Sequence, residues 1–140
     1  MLVDPQNVTL SALETVYRGA FPELIPECRE RVDRSALAVA RAAAGGTPIY
    51  GVNTGFGKLA SVRISADNTR TLQRNLILSH CTGVGDPLPA DIVRLIIALK
   101  IISLGRGASG VRWELIALLT EMLRHEILPV IPAQGSVGAS

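Results

Sequence analysis

The chain has 140 residues, 48% of them hydrophobic and 19% charged, with only five aromatic residues, a formal net charge of +2 and a mean hydropathy of +0.34. Twelve arginines are spread among twelve acids, and the one dense group, Arg29, Arg31 and Arg34, is interleaved with Glu27, Glu30 and Asp33 as on a solvated helix face, which argues against nucleic acid as a partner. The longest apolar stretch, Ile92 to Leu104, is broken by Arg94 and Lys100 and falls short of the roughly 20 residues of a membrane span.

Asp4, Pro5 and Gln6 stand where a secretory signal would need a basic start and an apolar run, so a cytoplasmic protein with no membrane partner is expected. Ala, Val, Ile and Leu carry the hydrophobicity, which suits closely packed helices, and its extent points to apolar surface covered by a longer parent chain or an oligomer. Cys28 and Cys81 form no Cys-x-x-Cys pattern and share no metal spacing with His80 and His125, so reduced thiols and no metal are expected.

The first predicted helix opens on a capping box at Ser11-Ala12-Leu13-Glu14 and runs to about Arg18, before Gly19. Pro22 and Pro26 punctuate a connection. A second helix covers Glu27 to Ala44, with Val32, Ala36, Val39 and Ala43 on one stripe, and ends at Gly45-Gly46 before Pro48. Ile49 to Val52 reads as a short extended segment opening into a loop with glycines at 51, 55 and 57. Asp67 is placed to cap a helix through Leu72, Leu76 and His80 that breaks at Gly83-Val84-Gly85 and Pro87. Pro89-Ala90-Asp91 starts a helix apolar nearly all round to Leu104, which should lie deep in a bundle. After a break from Gly105 to Gly110, a helix over Val111 to Glu126 turns Leu115, Ile116, Leu119, Met122 and Leu123 inward. The remainder, past Pro129 and Pro132, reads as loop. The fold class is mainly α, with no linker dividing residues 1–140.

Three stretches carry chemistry. Gln134-Gly135-Ser136-Val137-Gly138-Ala139-Ser140 is a run of small residues, the composition a compressed backbone turn requires. Tyr50-Gly51-Val52-Asn53-Thr54-Gly55-Phe56-Gly57-Lys58 is glycine-rich but fails as a phosphate loop, since Leu59 stands where Ser or Thr should follow the lysine. Asn75-Leu76-Ile77-Leu78-Ser79-His80 ends a helix on a Ser-His pair.

Taken together, these stretches resemble the aromatic amino acid ammonia-lyases, and within them the branch that acts on histidine. The likeness runs over essentially the whole chain and is dense from Tyr50 to Val84 and from Val93 to Ser140. It implies an all-α lyase fold of which residues 1–140 are the N-terminal active-site segment, with a central helical bundle beyond. It implies a 4-methylidene-imidazol-5-one prosthetic group, formed when the glycine of an Ala-Ser-Gly triplet attacks the alanine carbonyl and two waters leave. Ala139 and Ser140 are its first two precursor residues here, and a glycine is expected to follow. The implied reaction is the non-oxidative deamination of L-histidine to trans-urocanate and ammonia, the first step of histidine degradation, by a cytoplasmic homotetramer whose sites are shared between subunits. No metal is implied.

The same resemblance makes Tyr50 the catalytic tyrosine. A phenol ionises near pH 10, so at neutral pH a phenolate base costs roughly 4 kcal/mol unless neighbours favour it, and those neighbours are expected beyond residue 140. His80 is expected to orient the substrate imidazole, because a Ser-His pair marks the histidine branch where Phe-Leu or His-Leu marks the phenylalanine and tyrosine enzymes. Asn53 belongs to the same branch-specific pattern and is a second substrate-binding candidate. Cys81-Thr82 departs from the two small apolar residues usual there.

Other readings compete. A related phenylalanine or tyrosine ammonia-lyase or aminomutase would share most of these motifs. Gly105-x-Gly107-x-x-Gly110 matches a dinucleotide fingerprint with Glu126 downstream, but the segment before it is of helix length rather than strand length. A non-catalytic helical interaction fragment would account for the apolar composition alone.

Overall fold

The computed structural model describes residues 1–45, 47–59, 62 and 64–135, which form two compact units. The first comprises Met1–Ala38 and Pro87–Ile131, the second Val39–Asp86 and Pro132–Ser140. Five α-helices dominate the described residues, so the mainly α expectation holds.

The first unit is built around α4 (Ala90–Gly105), which buries Val93, Ile97, Ala98, Ile101, Ile102 and Leu104. These residues form one broad apolar face that becomes the core, while Ile96, Leu99, Lys100 and Ser103 line the opposite face and are exposed, so the helix is less deeply covered than its all-round apolar pattern predicts. Against it pack α1 (Leu10–Tyr17) and α5 (Trp113–Arg124), which bring Val16, Ile116 and Leu123 into the same cluster, joined by Val32 of α2 (Glu27–Ala44). Only α2 matches its predicted bounds at both ends.

Several starts are displaced for local reasons. Thr9 rather than Ser11 caps α1: its hydroxyl accepts from the Ala12 backbone N–H at 3.2 Å, which leaves Ser11 inside the first turn. Glu14, expected in a capping box, instead meets Arg18 at 2.7 Å one turn on. α5 is shorter than Val111 to Glu126, and Leu115, expected inside, is 41% exposed. Twelve helical residues present a narrower buried face than the apolar pattern suggests.

Two small ribbons escape the periodicity. β1 (Leu2–Val3) pairs in parallel with β2 (Glu23–Leu24), in the connection between Pro22 and Pro26. In the second unit β3 (Val84–Pro87) pairs with β4 (Pro132–Gln134), where the sequence predicts a helix break and a loop. Strands of two to four residues are too short to show alternation.

The glycine motif between α4 and α5 serves packing. A Cβ on Gly105 would lie 2.5 Å from Leu24 Cδ1, and one on Gly107 would lie 2.8–2.9 Å from Arg31, mostly its backbone, with Gly107 at φ +74°. Gly110 N–H donates to Ser35 Oγ at 3.0 Å. Because the motif follows a helix and its glycines seat α2 and β2, it has neither the strand nor the open loop of a dinucleotide site.

Candidate active site

Tyr50, Asn53 and His80 all lie in the second unit. The sequence predicts an extended segment at Tyr50; the residue sits in a tight turn instead. Val52 N–H and Asn53 N–H both donate to the Ile49 carbonyl, at 3.0 and 3.2 Å, and Gly51 takes φ +75°, which a glycine adopts without steric cost. The Tyr50 residue is 63% exposed and its ring meets Phe56 edge-on, with ring centroids 5.7 Å apart at 69°.

Asn53 closes that turn from inside. It is 6% exposed, its Oδ1 accepts the Ile49 N–H at 2.7 Å and its Nδ2 donates to the Thr47 carbonyl at 3.0 Å. Its backbone carbonyl also accepts from Ile64 N–H at 3.0 Å. Beside it Thr54 is 2% exposed, with Oγ1 donating to the Gly55 carbonyl. Buried polar groups need such partners, and both side chains find them within the loop. The residue pattern marks Asn53, but backbone ties to Thr47 and Ile49 depend on the turn and cannot be read from spacing.

His80 is the last residue of α3 (Ala66–His80), which starts after Ser65 rather than at the expected cap Asp67. α3 buries little: Leu72 and Leu76 are half-covered, while Ile77 and Leu78 are 63% and 57% exposed. The His80 ring is held by its own helix. Nδ1 lies 2.8 Å from the Leu76 carbonyl and 2.9 Å from Ser79 Oγ, and Ser79 Oγ donates to the same carbonyl at 2.9 Å. A carbonyl only accepts, so in the neutral ring Nδ1 carries the proton and Nε2 is left as an acceptor.

The precursor residues Ala139 and Ser140 lie outside the described residues. Their approach is described: a Cβ on Gly83 would meet Pro132 Cγ at 2.8 Å, and one on Gly135 would lie 3.7 Å from the Thr82 carbonyl oxygen. The β3–β4 ribbon therefore places the start of the small-residue run beside Thr82, two positions past His80. Small residues from Gly135 onward and an anchored strand ahead of them fit a backbone cyclisation, which needs room for close approach and a fixed point from which to turn. Among the described residues no group of three His, Cys, Asp or Glu could hold a metal ion, and no helix is long and apolar enough to cross a membrane. Cys28 is buried and Cys81 exposed, both as free thiols.

A family model for aromatic amino acid lyases matches residues 8–140. The chain belongs to the aromatic amino acid lyase family. Among curated relatives of this family, histidine ammonia-lyase of Bartonella tribocorum is 57% identical over 141 aligned positions, which take in 100% of this chain and 28% of that protein. Aromatic amino acid lyase relatives of known structure share the fold. Tyrosine aminomutase from Streptomyces globisporus superposes with a TM-score of 0.90 at 32% identity, covering 99% of this chain and 26% of the other. Histidine ammonia-lyase from Trypanosoma cruzi superposes with a TM-score of 0.84 at 30% identity, covering 98% and 26%. The chain thus spans little more than a quarter of the length of the relatives it matches.

Proposed function

We propose that this chain is the N-terminal active-site segment of a histidine ammonia-lyase, which converts L-histidine to trans-urocanate and ammonia without oxidation. The observation that carries the reading is the 57% identity, along the whole chain, to a protein named histidine ammonia-lyase. Backbone shape does not separate the branches, because the tyrosine aminomutase superposes at least as well as the histidine enzyme. The substrate reading therefore rests on sequence and on the Ser79-His80 pair.

The reaction breaks the Cα–N bond and one Cβ–H bond, forms the carbon–carbon double bond and releases ammonia. The methylidene-imidazolone group that Ala139, Ser140 and a following glycine would form supplies an electrophile for the departing amine. Tyr50 takes the β-proton, and its exposure leaves it open to a substrate and to charges supplied by the rest of the assembly. His80 orients the substrate imidazole: Nε2, free as an acceptor, suits the one ring N–H of a neutral imidazole, a donor that phenylalanine lacks. No metal, membrane or nucleic acid takes part. The proposed assembly is a cytoplasmic homotetramer with shared sites, as the resemblance implies; the large apolar side chains left exposed, among them Leu10 at 86% and Val130 at 79%, support only that further chain or further subunits cover this segment.

In the full-length protein, Tyr50→Phe is expected to keep the prosthetic group's ultraviolet absorbance while histidine turnover collapses; near-normal turnover would sink the assignment. Product analysis separates the rival activity. An aminomutase keeps the amine on its product, so stoichiometric free ammonia and urocanate are the outcome expected here.

A further inference from the structure

We infer that Asn53 is a positioning residue for Tyr50, fixing the direction from which the phenol reaches the substrate. The inference rests on the reading of Tyr50 as the group that takes the β-proton, and it is carried by the hydrogen bonds around residues 47–53.

Among the described residues, Phe56 is the aromatic neighbour that meets the Tyr50 ring, edge-on. The direction of the hydroxyl, at the far end of the side chain, starts from the turn from which the side chain springs. A small rotation of that turn is multiplied at the oxygen.

One buried side chain closes the turn on both sides of Tyr50. The two groups Asn53 binds through its amide, Ile49 N–H at 2.7 Å and Thr47 C=O at 3.0 Å, precede the tyrosine, while Asn53 itself follows it. The return bond from Asn53 N–H to the Ile49 carbonyl completes a two-way link between residues 49 and 53. Through its own carbonyl Asn53 is tied to Ile64, so the turn is also anchored to the segment leading into α3. An amide side chain suits this position because it offers an acceptor and a donor from one planar group, which serine, threonine or aspartate in its charged form cannot do in the same geometry. With Oδ1 and one Nδ2 hydrogen engaged in the loop, Asn53 acts on the substrate through Tyr50.

The test is a double-mutant cycle in the full-length lyase, assayed with L-histidine. Asn53→Ala is expected to lower kcat by roughly 10²-fold, the scale of an ångström's misplacement of a reacting group. KM should stay within about threefold, since ground-state binding is not what is lost. In a Tyr50→Phe background the same change should produce no further loss. Asn53→Asp keeps the acceptor for Ile49 N–H but sets a buried carboxylate oxygen against the Thr47 carbonyl, so its kcat should fall at least as far as that of Asn53→Ala, again with no further loss in the Tyr50→Phe background. Should Asn53→Ala fail to fold, Asn53→Asp carries the same comparison.

Equal losses in the wild-type and Tyr50→Phe backgrounds would overturn the inference, as would a loss confined to KM, which would place Asn53 on the substrate. Near-normal turnover of Tyr50→Phe alone would instead remove Tyr50 as proton acceptor, a failure of the underlying reading that the single variant reports by itself.

Discussion

In the proposed site His80 serves as a directed acceptor at a helix end. With Nδ1 committed to the Leu76 carbonyl, Nε2 is the nitrogen left for a ligand. His80→Leu in the full-length enzyme is expected to lower kcat/KM for L-histidine by roughly 10²-fold or more while leaving that for L-phenylalanine unchanged or higher, since a site built for a ring N–H discriminates through its polar partner. An unchanged ratio of the two would remove the role. At this scale the motifs single out Tyr50 and His80 as candidates, because their residue types stand out in a short pattern. The partners that orient them are not legible, because a backbone carbonyl looks the same in every sequence. Gly107 is a similar case. Its φ of +74° and the Arg31 backbone 2.8 Å from a would-be Cβ make Gly107→Ala costly twice over, by about 2–4 kcal/mol in a denaturant titration.

Among the elements, α2 is legible in its bounds and α4 in its apolar composition, and α4 contributes more of the buried core than any other helix. Ile101 is fully buried at its centre, and Ile101→Ala is expected to destabilise the fold by about 3–4 kcal/mol in urea unfolding. The junction of α1 with α4 gives a pH dependence. The Asp91 carboxylate accepts from Ile92 N–H at 2.8 Å and faces the Tyr17 hydroxyl; the Tyr17 hydroxyl and the Ile92 N–H hold the Asp91 carboxyl below the usual carboxylate range, and the carboxylate pushes the Tyr17 phenol up. For a depressed carboxyl the contribution is present above its unfolded pKa of about 4 and is lost as pH falls through the folded value. For a raised phenol it is present below about pH 10 and is lost as pH rises through the folded value. Tyr17→Phe should therefore flatten the acid and alkaline edges of the stability profile together, leaving the part of the acid edge that belongs to the Ile92 bond. An unchanged acid edge would contradict the link. What the sequence hides at this scale is pairing: β1 with β2 and β3 with β4 join segments that are far apart along the chain, and nothing local announces either.

On the scale of the whole molecule, the apolar composition points to surfaces awaiting cover, and the structure leaves Leu10, Ile77, Leu118, Ile127 and Val130 well exposed. The chain spans 28% of the relative that is 57% identical to it, so cover by the remaining length and by other subunits fits the proposed tetramer. A polypeptide of residues 1–140 alone is expected to self-associate on dilution from denaturant and to release no ammonia from histidine; turnover by that polypeptide would refute the reading of an incomplete site. Family membership is legible because lyase motifs run along most of the chain. The division into two compact units is not, since the second unit is assembled from two separate stretches.

That assembly orders events in time. Gly135 comes to rest beside Thr82 only when β4 meets β3, and the chain between them includes α4 and α5. Closing a loop of about 50 residues costs about 3.5 kcal/mol of chain entropy beyond a constant, a cost met only once the helices within it have condensed. Gly135 is thus brought beside Thr82 late. When newly made, uncyclised full-length chain folds, the fluorescence of Trp113 should settle before the absorbance of the proposed cyclised group begins to grow; on that proposal maturation is a clock that starts when folding ends.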